Sequence, residues 1–369
     1  MRSLTLLALV CMLASCGQSS SSSSPDAVAD KAEKKENKNT PVKAEVMKFV
    51  KHEVMDNQGT QMVASTYLIP EDWTANDQLY WEYNDAVVPI RYKGTFRSKD
   101  GSMAIQSFPD VRATWYTGPS GTNGYKPPSD IISGIKYLIE TERKGLNYRV
   151  TQEKVVSNSG PRNSYEQGSQ VVSNSSAGFV RIEFEENGQP FEEEFYAQLD
   201  VSDLRMPSAM GNMQTLVWAA SGLYSCKAVK GKLDDCRKIA LTAKSSARLS
   251  LPFYNRLVQV TKLLSDQTYA RIYQAGQISR IISQTNDQML ANIRSSYQET
   301  QKANDRIYDQ FSDYMRGVDR YSDGQSQIQL PSGYSNAWVN DRGEYLMSNT
   351  QGYDPNAAMS GTWKQLNKN

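Results

Sequence analysis

The sequence predicts an α+β fold: an antiparallel sheet with packed helices, then a long α-helical segment and a small C-terminal β-meander. Three observations predict it. Short runs of alternating apolar and polar residues are separated by turn dipeptides such as Asp100-Gly101 and Asn187-Gly188, the pattern of half-buried hairpin strands. Ser129 to Lys144 and Leu233 to Leu249 instead read as helices, the first with an apolar stripe at helical spacing. From Pro252 to Tyr321 no internal proline interrupts a polar stretch whose apolar residues recur every three or four positions.

Composition removes several function classes. In 369 residues, Lys+Arg number 41 and Asp+Glu 40, a formal net charge of +1. Electrostatic capture of nucleic acid needs a basic excess or face, so no nucleic-acid partner is expected. Only 39% of residues are hydrophobic, and one short segment alone lacks charge, which excludes a multi-span membrane protein. The single histidine, His52, leaves little room for histidine catalysis or multi-histidine metal sites.

Residues 1–15 have the layout of a signal peptide: Arg2, an apolar run from Leu4 to Met12, then small residues. The run is too short to span a bilayer as a helix. Leu13-Ala14-Ser15-Cys16 resembles the lipobox of bacterial lipoproteins. That resemblance implies cleavage before Cys16 and lipidation of its sulfur, with acyl chains such as palmitate holding the chain at a membrane. Two or three chains anchor far better than one. The other reading is an ordinary secreted protein with a cysteine near its cleavage site. Gly17 in place of Asp implies, for a Gram-negative cell, forwarding to the outer membrane.

Residues 16–41 follow as a lipidated tether. The serine run Ser19 to Ser24 and the mixed charges Lys31, Glu33, Lys34, Lys35, Glu36 and Lys38 cannot bury enough surface to offset ordering entropy.

Residues 42–250 form the expected α+β domain. Lys43 to Val54 and Gln61 to Ile69 alternate as strands around the turn Asp56-Asn57-Gln58-Gly59. Further strands are read at Gln78 to Tyr83, Val87 to Phe96, Ser102 to Phe108 and Leu146 to Val156, and from Phe179 to Glu186, Pro190 to Leu199 and Gln214 to Ala228. The first helix has Asp130 as its cap and Ile131, Ile132, Ile135, Leu138 and Ile139 as its stripe, with Gly145 after it. Ile69-Pro70-Glu71-Asp72-Trp73 followed by Asp100-Gly101 resembles the opening of PsbP-like domains, which implies an α/β sheet domain here.

Cys226 and Cys236 lie in this domain. Export makes a disulfide between them the default, stabilising the fold by roughly 2.5–3 kcal/mol; free thiols are the alternative. Redox chemistry of the C-x-x-C type needs a closer pairing. The acidic residues Glu183, Glu185, Glu186, Glu192, Glu193 and Glu194 read as a solvated strand face, with a Ca²⁺ site as the sharper option.

Residues 251–321 are the expected long helical segment. Leu290, Ile293, Tyr297, Thr300, Asn304, Ile307, Phe311, Tyr314, Val318 and Tyr321 make a heptad seam. It lies on the first domain, folds back on itself, or pairs as a coiled coil with a partner or a second copy of the chain. Residues 322–369 form the small β-rich module. Its Leu-Pro-Ser-Gly-Tyr, Trp-Val-Asn, Gly-Glu-Tyr-Leu and Asp-Pro-Asn segments resemble a tail of uncharacterised bacterial envelope proteins, a likeness that implies no activity. Trp338, Tyr345 and Trp363 either stack on sugars as a binding surface or form the module's core.

No nucleophile elbow, zinc-protease, phosphate-loop or dinucleotide motif occurs. No catalytic residues, metal ligands or cofactor site are read. The expected role is a lipid-anchored envelope lipoprotein acting as a binding or structural module for another envelope protein or cell-wall polymer. The alternatives are a carboxylate-based glycan hydrolase, which needs two carboxylates about 5–10 Å apart, and a small-ligand carrier, which needs a closed apolar pocket.

Overall fold

The computed structural model describes residues 46–83, 85, 89–119, 121–166, 169–206, 213–265, 298, 302, 317–322 and 327–368. The chain begins with β1 (Val46–Met55), β2 (Val63–Pro70), β3 (Thr74–Trp81), β4 (Ile90–Arg97) and β5 (Met103–Ser107). β6 (Val111–Gly118), β7 (Gly121–Gly124) and α1 (Ile131–Glu142) follow. Next come β8 (Tyr148–Asn158), β9 (Arg162–Glu166) and the long strands β10 (Ser169–Glu186), β11 (Gln189–Met206) and β12 (Met213–Val229). α2 (Leu233–Ser245), β13 (Arg248–Leu249) and α3 (Leu251–Ser265) lead to the C-terminal elements. These are β14 (Val318–Ser322), β15 (Gln327–Pro331), β16 (Asn336–Asn340), β17 (Tyr345–Ser348), α4 (Pro355–Ala358), β18 (Trp363–Gln365) and β19 (Asn367–Lys368).

Three antiparallel sheets result. The largest runs β3-β4-β5-β12-β11-β10-β8, with β6 also on β12, β7 on β6 and β9 on β10. The second runs β13-β2-β1-β17-β16-β18, and the third β15-β14-β19. The β10–β11 hairpin turns at Asn187 (φ 53°) and Gly188 (φ 77°). Two successive positive φ values suit the right-handed twist of the flanking strands. Each of its strands is 18 residues long, about 60 Å extended.

The long strands bury both faces. Val180, Ile182, Phe195 and Leu199 pack with Ile131, Ile135 and Ile139 of α1 in one core. Phe179, Tyr196, Tyr224 and Cys226 pack with Leu233, Cys236 and Ile239 of α2 in the other. α1 is capped by Asp130, whose carboxylate accepts the Ser133 N–H. α2 lies against β12, β5, β2, β14 and β15, so seven of its residues are buried. A helix enclosed on that many sides is held by tertiary packing more than by its own propensity.

The predicted fold class is corrected. Of the described residues 57% lie in strands and 18% in helices, and no described helix exceeds the 15 residues of α3. The chain is mostly β, and no long α-helical segment is present among the described residues. The heptad stretch between α3 and residue 317 lies outside them, apart from residues 298 and 302. At its end the correction is direct: Val318 and Tyr321, read as heptad positions, sit in β14 and pair with Pro331 and Ile328. Tyr321 is buried in the core around α2. Its aromatic ring and the neighbouring β-branched Val318 suit a pleated surface, and the sheet partner overrides the local spacing.

The β-rich tail shares a sheet with the start of the folded region. Phe49 pairs with Tyr345 and Val46 with Ser348, so β16–β18 extend the β1–β2 hairpin. Residues from Ala44 to Asn369 form one compact unit. The acidic run is also corrected at two positions, since Glu193 and Glu194 are fully buried. Each meets an arginine: Arg143 donates to Glu193 at 2.8 Å and 2.5 Å, and Arg181 Nε to Glu194 at 2.7 Å. Helices cover both faces of β11, so neither alternation phase stays in water.

Candidate functional site

The polar group that most resembles a prepared site is centred on Asp77 of β3. His52 on β1 faces Tyr67 on β2 across the ladder, and Leu79 faces Tyr92 across the β3–β4 pair. Three side chains converge on one carboxylate. His52 Nε2 lies 2.5 Å from Asp77 Oδ2, the Tyr67 hydroxyl donates at 2.9 Å and 3.1 Å, and the Tyr92 hydroxyl donates to Oδ1 at 2.6 Å. The Asp77 side chain is 12% exposed and that of His52 27%. Burial opposes the carboxylate's charge, yet the hydrogen bonds from His52, Tyr92 and Tyr67 together hold its pKa below the usual value. Burial, and then the neighbouring acidic groups, push the Tyr67 phenol upward.

Asp77 also lines an open cavity of about 390 Å³ between the β1–β2 turn and β3, together with Met55, Asn57, Gln58, Leu79 and Tyr80. Asp77 is the one charged residue in that lining. The cavity wall is braced by Asp56, which is fully buried. Its carboxylate accepts the backbone N–H groups of Gly59 (2.9 Å) and Thr60 (2.7 Å) and the Trp81 Nε1–H (3.1 Å).

A second polar group sits where β12 bulges. The register with β11 slips between Tyr196 and Gln198, opposite Gly222, whose φ is 61°. The Gly222 backbone and the Asp110 carboxylate lie close enough to influence each other there. On the neighbouring side, Lys244 of α2 donates to Ser107 Oγ at 2.5 Å and lies 5.1 Å from the centre of the Tyr224 ring. Burial lowers the lysine pKa to about 8 against the opposing pull of Asp110, Cys226 and Asp77. Burial raises the Asp110 pKa, with Arg112, Gly222, Lys244 and Arg91 opposing. Bulges re-aim side chains in this way beside functional sites, and burial favours the neutral form of both groups.

The residues singled out in the sequence have other places. Cys16 lies outside the described residues. The expected disulfide is corrected: Cys226 and Cys236 are free, buried thiols. Packing of α2 on β12 does bring the two thiols into one core. Cys236 Sγ also lies 3.5 Å from the Ala104 and Lys227 carbonyl oxygens. The aromatic binding surface is corrected as well. Trp338 and Trp363 are 6% and 5% exposed and share a small core with Leu346, while half-buried Tyr345 packs on the main core. Apolar area draws these rings inward against sheet partners. Among the described residues the strongly exposed tyrosines are Tyr125 and Tyr137. Sequence reading placed His52 in a strand but missed its Asp77 partner, because nothing local links the two positions.

Among the described residues no group of three or more His, Cys, Asp or Glu side chains is arranged to hold a metal. No described helix is long and apolar enough to cross a membrane.

No protein-family model matches this sequence, and no curated relative does. Among solved structures, one similarity is to LpqN, involved in cell envelope biogenesis of Mycobacterium tuberculosis. It has 11% identity and a TM-score of 0.20, and covers 54% of this chain and 90% of LpqN. Another is to the di-domain aromatase/cyclase StfQ of the steffimycin biosynthetic pathway. That match has 9% identity and a TM-score of 0.10, over 70% of this chain and 90% of StfQ. Identities and TM-scores this low place the chain in no family.

Proposed function

We propose that this chain is a lipid-anchored envelope protein that acts as a binding or structural module for cell-wall polymer or another envelope protein. The observation that carries this reading is the order of three segments. Leu13-Ala14-Ser15-Cys16 closes an apolar run, a polar stretch of low hydrophobicity follows, and the compact unit starts at Ala44. Lipid attached at Cys16 gives the anchor, and the polar stretch gives the spacing. In a Gram-negative cell, Gly17 directs it to the outer membrane.

The Asp77 cavity itself supports neither alternative. A glycan hydrolase needs a second carboxylate about 5–10 Å from the first, and the cavity lining supplies Asp77 alone, already engaged by three donors. A small-ligand carrier needs an enclosed apolar pocket, whereas this cavity is open and mixes Met55, Leu79 and Tyr80 with amides and a carboxylate.

The test is fractionation of cells expressing the wild type and Cys16→Ser, with fatty-acid labelling of both. Label and membrane retention in the wild type, with both lost in the variant, support the anchor. A variant that stays in the membrane fraction refutes it. Crosslinking in the native envelope then identifies what the folded unit holds.

A further inference from the structure

We propose that the free edge of β3 is a binding site for an extended peptide segment of a partner protein. The segment adds to the largest sheet as a further strand and carries a basic rather than an acidic side chain beside Asp77. β3 ends that sheet and pairs with β4 alone. The hydrogen-bond phase of the ladder fixes which backbone groups are left over. The Glu82 N–H donates to the Pro89 carbonyl at 2.7 Å, and beyond β4 the Ser98 N–H donates to the Met103 carbonyl at 3.0 Å. Successive residues of an antiparallel strand direct their backbone groups alternately to one side and the other. Both bonds, carried through the β3–β4 and β4–β5 registers, turn Asn76, Gln78 and Tyr80 toward β4 and Asp77, Leu79 and Trp81 away from it. Among the described residues no backbone hydrogen bond joins these last three to another element.

The open cavity of about 390 Å³ is the space beside that edge. It touches the four consecutive residues Asp77 to Tyr80. Successive side chains of a strand point to opposite faces, so a space in contact with all four runs along the edge. Its other wall is the β1–β2 turn, which Asp56 fixes to Trp81. Asn57 and Gln58 of that turn are exposed and line the cavity. The turn also limits the occupant: a second copy offering its own β3 would bring its own turn into the same space, whereas a single extended segment does not. Asp77, the one charged residue in the lining, disfavours an acidic side chain there. β3 lacks the devices that protect an edge. It has eight residues, with no proline, lysine or bulge. The longer edge strand β8 is broken by two register shifts, and the other described edge strands have five residues or fewer. Bulges, short length and lysines are the usual protections, and an unprotected edge gains affinity for a peptide from main-chain hydrogen bonds.

That the partner is an envelope protein rests on the proposed envelope role; strand addition itself does not. The test uses the whole chain with Cys16→Ser, ¹⁵N-labelled and with its backbone resonances assigned. The probe is the peptide acetyl-Thr-Val-Lys-Val-Thr-amide. Saturable shifts of the Asp77 and Leu79 amide resonances are expected, with those of Gln78 and Tyr80 moving far less. N-methylation of the lysine and threonine nitrogens of the peptide removes the shifts, and N-methylation of the valine nitrogens leaves them, because only one alternate set faces β3. Replacing the peptide's lysine by glutamate weakens binding about fivefold. Resonances that the peptide does not move, an equal response to both N-methylated sets, or equal binding of the lysine and glutamate peptides overturns the proposal. The envelope role is decided separately, by the fractionation of wild type and Cys16→Ser.

Discussion

The Tyr92 hydroxyl donates to the Asp77 carboxylate at 2.6 Å, and it does so by crossing directly over Gly94. A Cβ at position 94 would collide with the Tyr92 hydroxyl and come within 2.9 Å of Asp77 Oδ1. Gly94 faces Asp77 across the β3–β4 ladder, so the glycine provides the room that the hydrogen bond occupies. Glycine inside a strand often marks such a close approach.

Gly94→Ala is therefore expected to push Tyr92 off Asp77 and destabilise the fold by about 1–3 kcal/mol. Urea denaturation measures the loss. A double variant with Tyr92→Phe should lose little more than Gly94→Ala alone, because the two changes remove the same hydrogen bond. Full additivity would show that the contact contributes nothing.

Asp77 makes the fold acid-sensitive. Its folded-state pKa lies below the ordinary carboxylate value, so the unfolded chain takes up the proton first. The stabilisation is fully present above the unfolded pKa, near 4, and is lost as pH falls through the lower folded value. Asp77→Asn should flatten this part of the stability profile between pH 2 and 5 relative to wild type. Unfolding midpoints measured across that range decide it.

Lys244 acts in the opposite pH range. Its folded pKa of about 8 lies below the ordinary lysine value of 10.5, so between those values the unfolded state binds more protons. Stability from this group therefore rises as pH increases from about 8 to about 10.5. In Lys244→Met that increment should be absent, as read from the difference between wild-type and variant unfolding free energies at pH 7.5 and 10. An unchanged difference would mean that the ammonium is not held out of water.

Glu193 provides the largest expected effect. It is fully buried, paired with Arg143, and accepts the Ser225 hydroxyl at 2.7 Å. Removing one partner of a buried pair leaves the other uncompensated, at about 3–5 kcal/mol. Glu193→Ala should destabilise by that amount, whereas the Glu193→Leu, Arg143→Leu double variant should recover much of it. Thermal denaturation of the three proteins distinguishes the pair from simple loss of volume.

These residues also show where sequence reading reaches its limit. Asp130 and the stripe Ile131, Ile135 and Ile139 were legible because a helix joins neighbours three and four positions apart. The Asn187-Gly188 turn was legible because its backbone conformation is a property of those two residues. The acidic positions Glu193 and Glu194 read as solvated, because alternation puts one of two neighbours outward; it does not report that helices cover both faces. Val318 and Tyr321 fit a helical spacing and a strand equally well over so short a span.

Local chemistry alone therefore determined the hairpin turns and the first helix with its cap. The tertiary structure decided the pairing of Phe49 with Tyr345, the enclosure of α2 by three sheets, and the meeting of His52, Tyr67, Asp77 and Tyr92. It also turned Trp363 inward while leaving its N–H without an acceptor. The physical reason is range. Turns and caps are settled by dihedral angles and hydrogen bonds within a few residues, whereas strand pairing and burial depend on surfaces that meet only once the chain has folded.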